Sequence, residues 1–263
     1  MSHDTVRDKF LAYNAAHNVE SRRYDAFRNE LKYFRRVKPL SPRLKVLDVG
    51  CGPGMFTEFM LDQGVDAAGV DIDHSLVRTA KSRVAQRGSA GHFLVGTVER
   101  LPYRDRVFDV CVANSILEHV QDWEATLQEV TRVLKVGGLL VFYTTNRLHP
   151  FQNEVNGFPF YPWIPGRLKT PILGLIMKHR PDMVNYTDLP AIHWFSYEQL
   201  KRFLEPLGYA VSTRLDLVEA SDLKGWKAAA RPSLRLLQRI GVARYLYYFY
   251  SHDVSVYAIK RAA

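Results

Sequence analysis

The run Val46-Leu47-Asp48-Val49-Gly50-Cys51-Gly52-Pro53-Gly54 constrains this chain more than any other stretch. It opens as a short apolar strand, breaks into alternating glycines, and passes into a helical pattern carrying Phe56, Phe59, Met60 and Leu61. Glycine lacks a Cβ, tolerates positive φ and lets another molecule reach the main chain. The helix that follows begins with unpaired N–H groups. In an open α/β sheet such a loop lies at the carboxyl ends of the strands, where ligands bind.

From this loop onward, strands and helices alternate. Apolar runs predict strands at 45–49, 66–70, 92–95, 108–113 and 139–144, the last entered through Gly137 and Gly138. Between them lie helical patterns: 54–63, stopped by Gly64; a second N-capped at Ser75 and stopped by Gly88; a third capped by Asp122. Strands joined by single helices imply βαβ crossovers and a parallel sheet. Ahead of the loop, residues 6–38 read as a helix with Tyr24, Phe27, Leu31 and Phe34 on one face, ended by Pro39 and Pro42. This segment, 1–43, is expected to cap the ligand site or to cover the sheet.

The alternation stops near residue 147. Seven of the thirteen prolines fall from Pro150 to Pro190, interleaved with Phe151, Phe158, Phe160, Tyr161 and Trp163. A long aromatic loop of this kind reads as a lid or substrate-binding insertion rather than as disorder. A capping-box pattern at Ser196 then starts a helix with Leu200, Phe203 and Leu204. Strands are expected at 209–218 and 253–259, with a second insertion, 219–252, between them.

Composition narrows the setting. The 263 residues, 47% hydrophobic, suffice for one large domain with insertions. Two cysteines, Cys51 and Cys111, make neither a disulfide framework nor a metal-ligand spacing. The polar residues 1–9 are no signal peptide, and the longest apolar runs, such as 138–143, are too short to span a bilayer. The sequon Asn185-Tyr186-Thr187 means little without a secretory route, and a cytoplasmic protein is expected. A net charge of +9 favours anionic partners: nucleic acid, a membrane surface or phosphorylated substrates.

The glycine spacing decides between two cofactor sites. A dinucleotide fingerprint needs a third glycine where Met55 stands. The spacing is instead G-x-G-x-G, preceded by Asp48, an acid unwelcome beside a pyrophosphate and welcome beside an ammonium group. In this form the run resembles the first motif of class I S-adenosylmethionine-dependent methyltransferases, and Ile116-Leu117-Glu118-His119-Val120 resembles the segment after strand four in their ubiquinone-biosynthesis members. The resemblance covers residues 44–145 closely and 192–218 loosely. It implies a doubly wound α/β fold, a Rossmann-like, seven-stranded, mostly parallel sheet, with S-adenosylmethionine as cofactor. It places Asp48, Gly50, Cys51, Gly52 and Gly54 at the aminocarboxypropyl end, Asp71 at the ribose hydroxyls, Ile72 on the adenine face, Thr97 and Val98 near the adenine amino group, and Asn114 at the end of strand four. Many relatives have Asp where Thr97 stands.

For a hydroxyl acceptor the protein must also remove a proton. His193, between Ile192 and Trp194, is the first candidate base, with His119 and His149 as further candidates. No metal site is expected, since Ser115 stands where the resemblance would place another glutamate. The second insertion, 219–252, gathers Lys224, Lys227, Arg231, Arg235 and Arg239 on one side of an expected helix, with Leu234, Leu236, Leu237 and Ile240 opposite, followed by the aromatic run 245–250. A basic amphipathic helix of this type fits an anionic membrane surface or a lipid-linked substrate. The expected activity is O-methylation of a small lipophilic, lipid-linked or glycan-type acceptor. RNA ranks below it, because the place after strand four reads Asn114-Ser115-Ile116-Leu117 without the prolines of amino-methylating nucleic-acid enzymes. A cofactor-binding protein without turnover is the remaining alternative.

Overall fold

The computed structural model describes residues 19–89, 91–151, 154–184 and 190–262. The sequon at Asn185 and the first part of the expected N-terminal helix lie outside the described residues.

The elements run α1 (Val19–Val37), β1 (Lys45–Val49), α2 (Met55–Asp62), β2 (Asp66–Asp71), α3 (His74–Gln86), β3 (His92–Val95), β4 (Phe108–Asn114), α4 (Trp123–Val133), β5 (Leu134–Thr145), α5 (Gly166–His179), α6 (Tyr197–Leu204), β6 (Tyr209–Thr213), α7 (Arg214–Leu217), α8 (Leu234–Arg239), α9 (Gly241–Tyr250) and β7 (Asp253–Lys260). The seven strands form one sheet in the order β3-β2-β1-β4-β5-β7-β6. β3, β2, β1, β4 and β5 are parallel; β7 runs antiparallel to both β5 and β6. The order reverses between β1 and β4, so the glycine loop after β1 opens at the switch point, where ligands bind.

Each face of the sheet carries its own core. On one side Leu47, Cys111, Leu127, Val130, Leu140 and Leu200 pack together. On the other, Leu31 and Phe34 of α1 lie against Val46, Val110, Val112 and Val141. Burying side chains of this size contributes roughly 1.5–3 kcal/mol each, so α1 is part of the domain core and covers the sheet. Its polar side holds the second insertion: Arg36 bonds both Asp222 and the carbonyl of Leu217 (2.7 Å), and Glu30 meets Arg214 and the Tyr257 hydroxyl.

Several boundaries differ from the sequence expectation, each for a local reason. α3 is capped by Asp73, whose carboxylate accepts from Ser75 N (2.7 Å) and Leu76 N (3.2 Å), two residues before the expected Ser75 cap. β5 begins at Leu134 rather than after the glycine pair. The strand expected over 209–218 ends at Thr213, because Asp216 accepts from both the amide and the hydroxyl of Thr213 and turns the chain into α7. The first insertion is structured: it holds α5 and a separate small core of Val155, Tyr161, Leu173, Val184, Ala191 and Trp194. The second insertion is not the single amphipathic helix expected. A 3-10 stretch, Gly225–Ser233, leads into α8, and Ile240, in an extended conformation, breaks α8 from α9. Pro232 withholds one backbone donor there, and the Arg231 guanidinium is turned onto the Leu223 carbonyl (2.7 Å).

Candidate active site

The glycine loop is held from below and left open above. Gly50 N–H and Cys51 N–H both donate to the carbonyl of Val70, Gly54 N–H donates to Cys51 O, and Gly52 N–H donates to the Asp71 carboxylate at 2.8 Å. Pro53 has no N–H. Every donor from residue 50 to residue 54 is therefore spent inside the protein. A phosphate cradle needs free amides pointing at its ligand; this loop instead offers bare backbone and carbonyl oxygens, which suit an ammonium group.

Two glycines have distinct duties. At Gly54 (φ +77°) a Cβ would lie 2.6 Å from Cβ of Ala80, so glycine lets α3 pack against the loop. At Gly52 (φ +51°) a Cβ would meet nothing within 4 Å. That open space is where a ligand can touch main chain.

The acids behind the loop are both buried. Asp48 takes the Thr57 hydroxyl at 2.8 Å and so ties β1 to α2; burial pushes its carboxyl up to about 7, against the opposing effect of that bond. Its bonded oxygen faces α2. Asp71, also raised by burial, accepts from Asp73 N (2.9 Å) as well as from Gly52 N. Ile72 beside it is 65% exposed, an apolar face offered at the rim. Thr97 is exposed and Val98 is buried in the core below. Asn114, at the end of β4, has neither its amide oxygen nor its nitrogen hydrogen-bonded, although both atoms are buried. Buried amides without partners are rare, and this one marks a place where a polar ligand fits. Cys51 contributes backbone alone: its side chain packs with Val77, Ala80, Val84 and Phe93, and burial raises its thiol far above the ordinary range.

Beyond Asn114, at the ends of β4 and β5, lies a cavity of about 240 Å³ lined by Ser115, Glu118, Tyr143, Thr144, Thr145, Asn146, Glu154, His252 and Asp253. Burial raises Glu118 to about 8, opposed by the Thr144 hydroxyl bonded to it at 2.8 Å, and raises Glu154 to about 7. None of the three histidines expected from sequence lines this cavity. His193 lies behind it, its Nε2 3.0 Å from Val120 O. His149 is buried with Nδ1 3.0 Å from Phe249 O, and its ring stands 4.3 Å from that of His252. His119 is partly buried, its backbone N–H bonded to Ile116 O (3.0 Å). Glu154 and His252 escaped the sequence reading. The available signal was Glu154 itself, the lone acid between Glu129 and Asp182 in a proline–aromatic stretch.

Sheet order, switch-point loop and the acids after β1 and β2 together define a class I S-adenosylmethionine-dependent methyltransferase domain, with S-adenosylmethionine as its cofactor. Residues 47–142 match the family model described as a methyltransferase domain, and the domain is similar to the ubiquinone biosynthesis O-methyltransferases. The chain is 36% identical over 103 residues to the ubiquinone biosynthesis O-methyltransferase of Nitrosomonas europaea, covering 39% of this chain and 44% of that one. It is 31% identical over 103 residues to the malonyl-[acyl-carrier protein] O-methyltransferase of Serratia marcescens, 39% of each chain. The chain thus spans about half the length of the curated relatives it matches. Among solved structures, an S-adenosylmethionine-dependent methyltransferase from Mesorhizobium loti superposes with a TM-score of 0.56 at 19% identity, covering 85% of this chain and 94% of that one. This likeness establishes the fold.

Proposed function

We propose that the chain transfers a methyl group from S-adenosylmethionine to a hydroxyl of a small, amphiphilic acceptor seated in the cavity beyond Asn114. The observation that carries this reading is the polar cavity with two carboxyls of raised pKa, adjoining the cofactor loop's side of the sheet. When bound, the cofactor supplies an electrophilic sulfonium methyl. The residues that would hold it are Gly52 by close backbone approach, in a loop whose tight shape Gly50 and Gly54 permit, Asp71 by its remaining acceptor capacity, Ile72 at the apolar rim, and Asn114 by its unclaimed amide.

The chain's own task is to place the acceptor and take its proton. A base works best with a pKa near the operating pH, and Glu154 meets that condition from within the cavity. His252 lines the same space, with His149 against its ring. Glu118, held by Thr144, orients rather than abstracts. This reading moves the base from the histidines toward Glu154 and His252.

The lining favours one second reading. Glu118, Glu154 and Asp253 face the cavity and among the described residues no lysine or arginine does, so an amine acceptor also fits there. Incubation of extracts with methyl-labelled cofactor, followed by partition into lipid, RNA and small-molecule fractions and identification of the methylated atom, separates O- from N-methylation. Absence of saturable S-adenosylmethionine binding by the folded protein would sink both.

An anionic lipid surface is the proposed meeting place. Leu236, Val242, Tyr245, Leu246 and Tyr250 are each more than half exposed, beside the exposed Arg235 and Arg239. An apolar strip with flanking arginines suits the interface of an anionic bilayer. No helix among the described residues is long and apolar enough to cross a membrane.

A further inference from the structure

The first insertion carries two cations, Arg147 and Lys169, that have no counter-ion among the described residues. Beyond Thr145, β5 continues as a short ladder with residues 193–195. Thr145 Oγ1 donates to His193 O (2.8 Å), Phe195 N to Thr145 O (3.2 Å), and Arg147 N to Phe195 O (2.7 Å). This ladder fixes the Arg147 backbone against Phe195, the residue after Trp194, and leaves the Arg147 side chain exposed. From the other side, α5 lays the Lys169 ammonium over the Trp194 ring, 4.3 Å from its centroid, and Tyr161 steadies that turn by donating to Lys169 O (3.2 Å).

Lys169 and Arg147 make no ion pair among the described residues. Burial, with the Arg147 charge as a smaller contribution, lowers the Lys169 ammonium to about 8. Elsewhere most cations near the core are matched: Arg36 with Asp222, Arg132 with Glu129, Arg244 with Asp216. In the same cluster the Trp194 indole N–H is buried with no acceptor. The half-buried Lys169 carries a charge without a counter-ion, feels the exposed Arg147, and lies over a ring whose N–H is unused; an anion bound there would relieve all three. Asn146, adjacent to Arg147, lines the 240 Å³ cavity.

We propose that Arg147 and Lys169, backed by Trp194, form a subsite for a phosphate group of the methyl acceptor. The assignment rests on the methyltransferase reading above and names its substrate class: a phosphorylated molecule whose reacting hydroxyl or amine enters the acidic cavity while its phosphate stays on the two cations. Arginine offers a planar fork for two phosphate oxygens and lysine a point charge, a pairing common in phosphate recognition. Acidic side chains line the cavity and Arg147 follows Asn146 of its wall, a pattern that suits a molecule carrying both a donor head and an anion.

The test uses the full chain at constant ionic strength, titrated with inorganic phosphate, with a short-chain alkyl phosphate, and with vesicles of phosphatidic acid in phosphatidylcholine. Binding is read by calorimetry and by trace acetylation of Lys169, with the exposed Lys178 of α5 as internal control. Saturable binding with at least fivefold protection of Lys169, and none of Lys178, is expected. Lys169→Met and Arg147→Gln should each weaken binding at least tenfold, while Lys169→Arg stays within about threefold. Lys169→Met should melt no lower than wild type, because it relieves a repulsion. Protection by inorganic phosphate alone assigns a soluble phosphorylated acceptor; protection by alkyl phosphate and vesicles assigns a lipid headgroup. No protection by any probe, or unchanged affinity in the variants, overturns the subsite. Phosphate protection without S-adenosylmethionine binding would leave the subsite standing and refute the methyltransferase reading alone.

Discussion

Gly52 and Asp71 are joined by a 2.8 Å hydrogen bond from the amide of the loop to the carboxylate at the end of β2, so the glycine loop and the neighbouring strand move as one piece. The same carboxylate holds Asp73 N, the residue that caps α3. Asp71→Ala should release both contacts. Hydrogen bonds to a charged group are worth about 1.5–3 kcal/mol, so S-adenosylmethionine affinity measured by calorimetry should fall roughly ten- to hundredfold. Retention of wild-type affinity would remove Asp71 from the cofactor site.

Gly52 and Gly54 should respond differently to alanine. Gly54→Ala meets Ala80 at 2.6 Å, which costs packing as well as φ strain; a loss of about 2–4 kcal/mol in stability follows. Gly52→Ala meets open space, so stability should fall by only about 1 kcal/mol. Its new methyl fills the ligand's space, and cofactor binding should be lost in a protein that still melts cooperatively.

The pH dependence of stability has a definite sign. Glu118 titrates near 8 in the folded protein, against an ordinary 4.5. Between these values the folded state holds a proton that the unfolded chain has released. Its contribution to stability is therefore full below pH 4.5 and declines as pH rises toward 8, with a slope of at most ~1.4 kcal/mol per pH unit for one group. Glu118→Gln should flatten that slope in thermal melts from pH 5 to 8. An unchanged slope would mean that Glu118 is not the group responsible.

Activity should run the other way. A base must be ionised to accept a proton, so kcat/KM should rise through about pH 7 with Glu154. Glu154→Gln should lower the rate 10²–10⁴-fold and remove that rising limb while leaving cofactor affinity within a factor of about three. If the limb survives in Glu154→Gln and vanishes in His252→Gln, the base is His252.

For the apolar strip, replacing Tyr245 and Leu246 together by Ser should reduce co-sedimentation with anionic vesicles at least fivefold, without altering the melting temperature, since both side chains are more than half exposed. Equal sedimentation of both proteins would exclude this surface.

The sheet was legible from the chain because two local signals coincide there: apolar runs of strand length and the residues that punctuate them. The strands starting at Lys45, Asp66 and His92 lie where expected, and the Ser196 cap accepts from Gln199 N as its pattern predicts. The glycine loop after β1 was legible for the same reason, residues 50–54 being close in sequence. The acceptor cavity was not. Glu118, Glu154 and Asp253 are far apart along the chain and meet only because β5 and β7 are neighbours and the first insertion folds back over them. Nor does helical periodicity reveal that Gly225–Ser233 winds as a 3-10 stretch, which takes Arg231 out of the helix holding Arg235 and Arg239, or that Ile240 turns extended and ends that helix.

The small core of Val155, Tyr161, Leu173, Val184, Ala191 and Trp194 is separate from the cores on the two sheet faces, and its segment rejoins the sheet through the pairing of Asn146 with Phe195. A piece with its own interior, tied to the sheet mainly at its two ends, is exchangeable as a unit. Changes within it can retune which molecule is accepted while the loop at Gly52 and the strands beneath stay as they are. On the reading proposed above, chimaeras made by grafting this segment onto a related sheet should inherit the donor chain's acceptor preference.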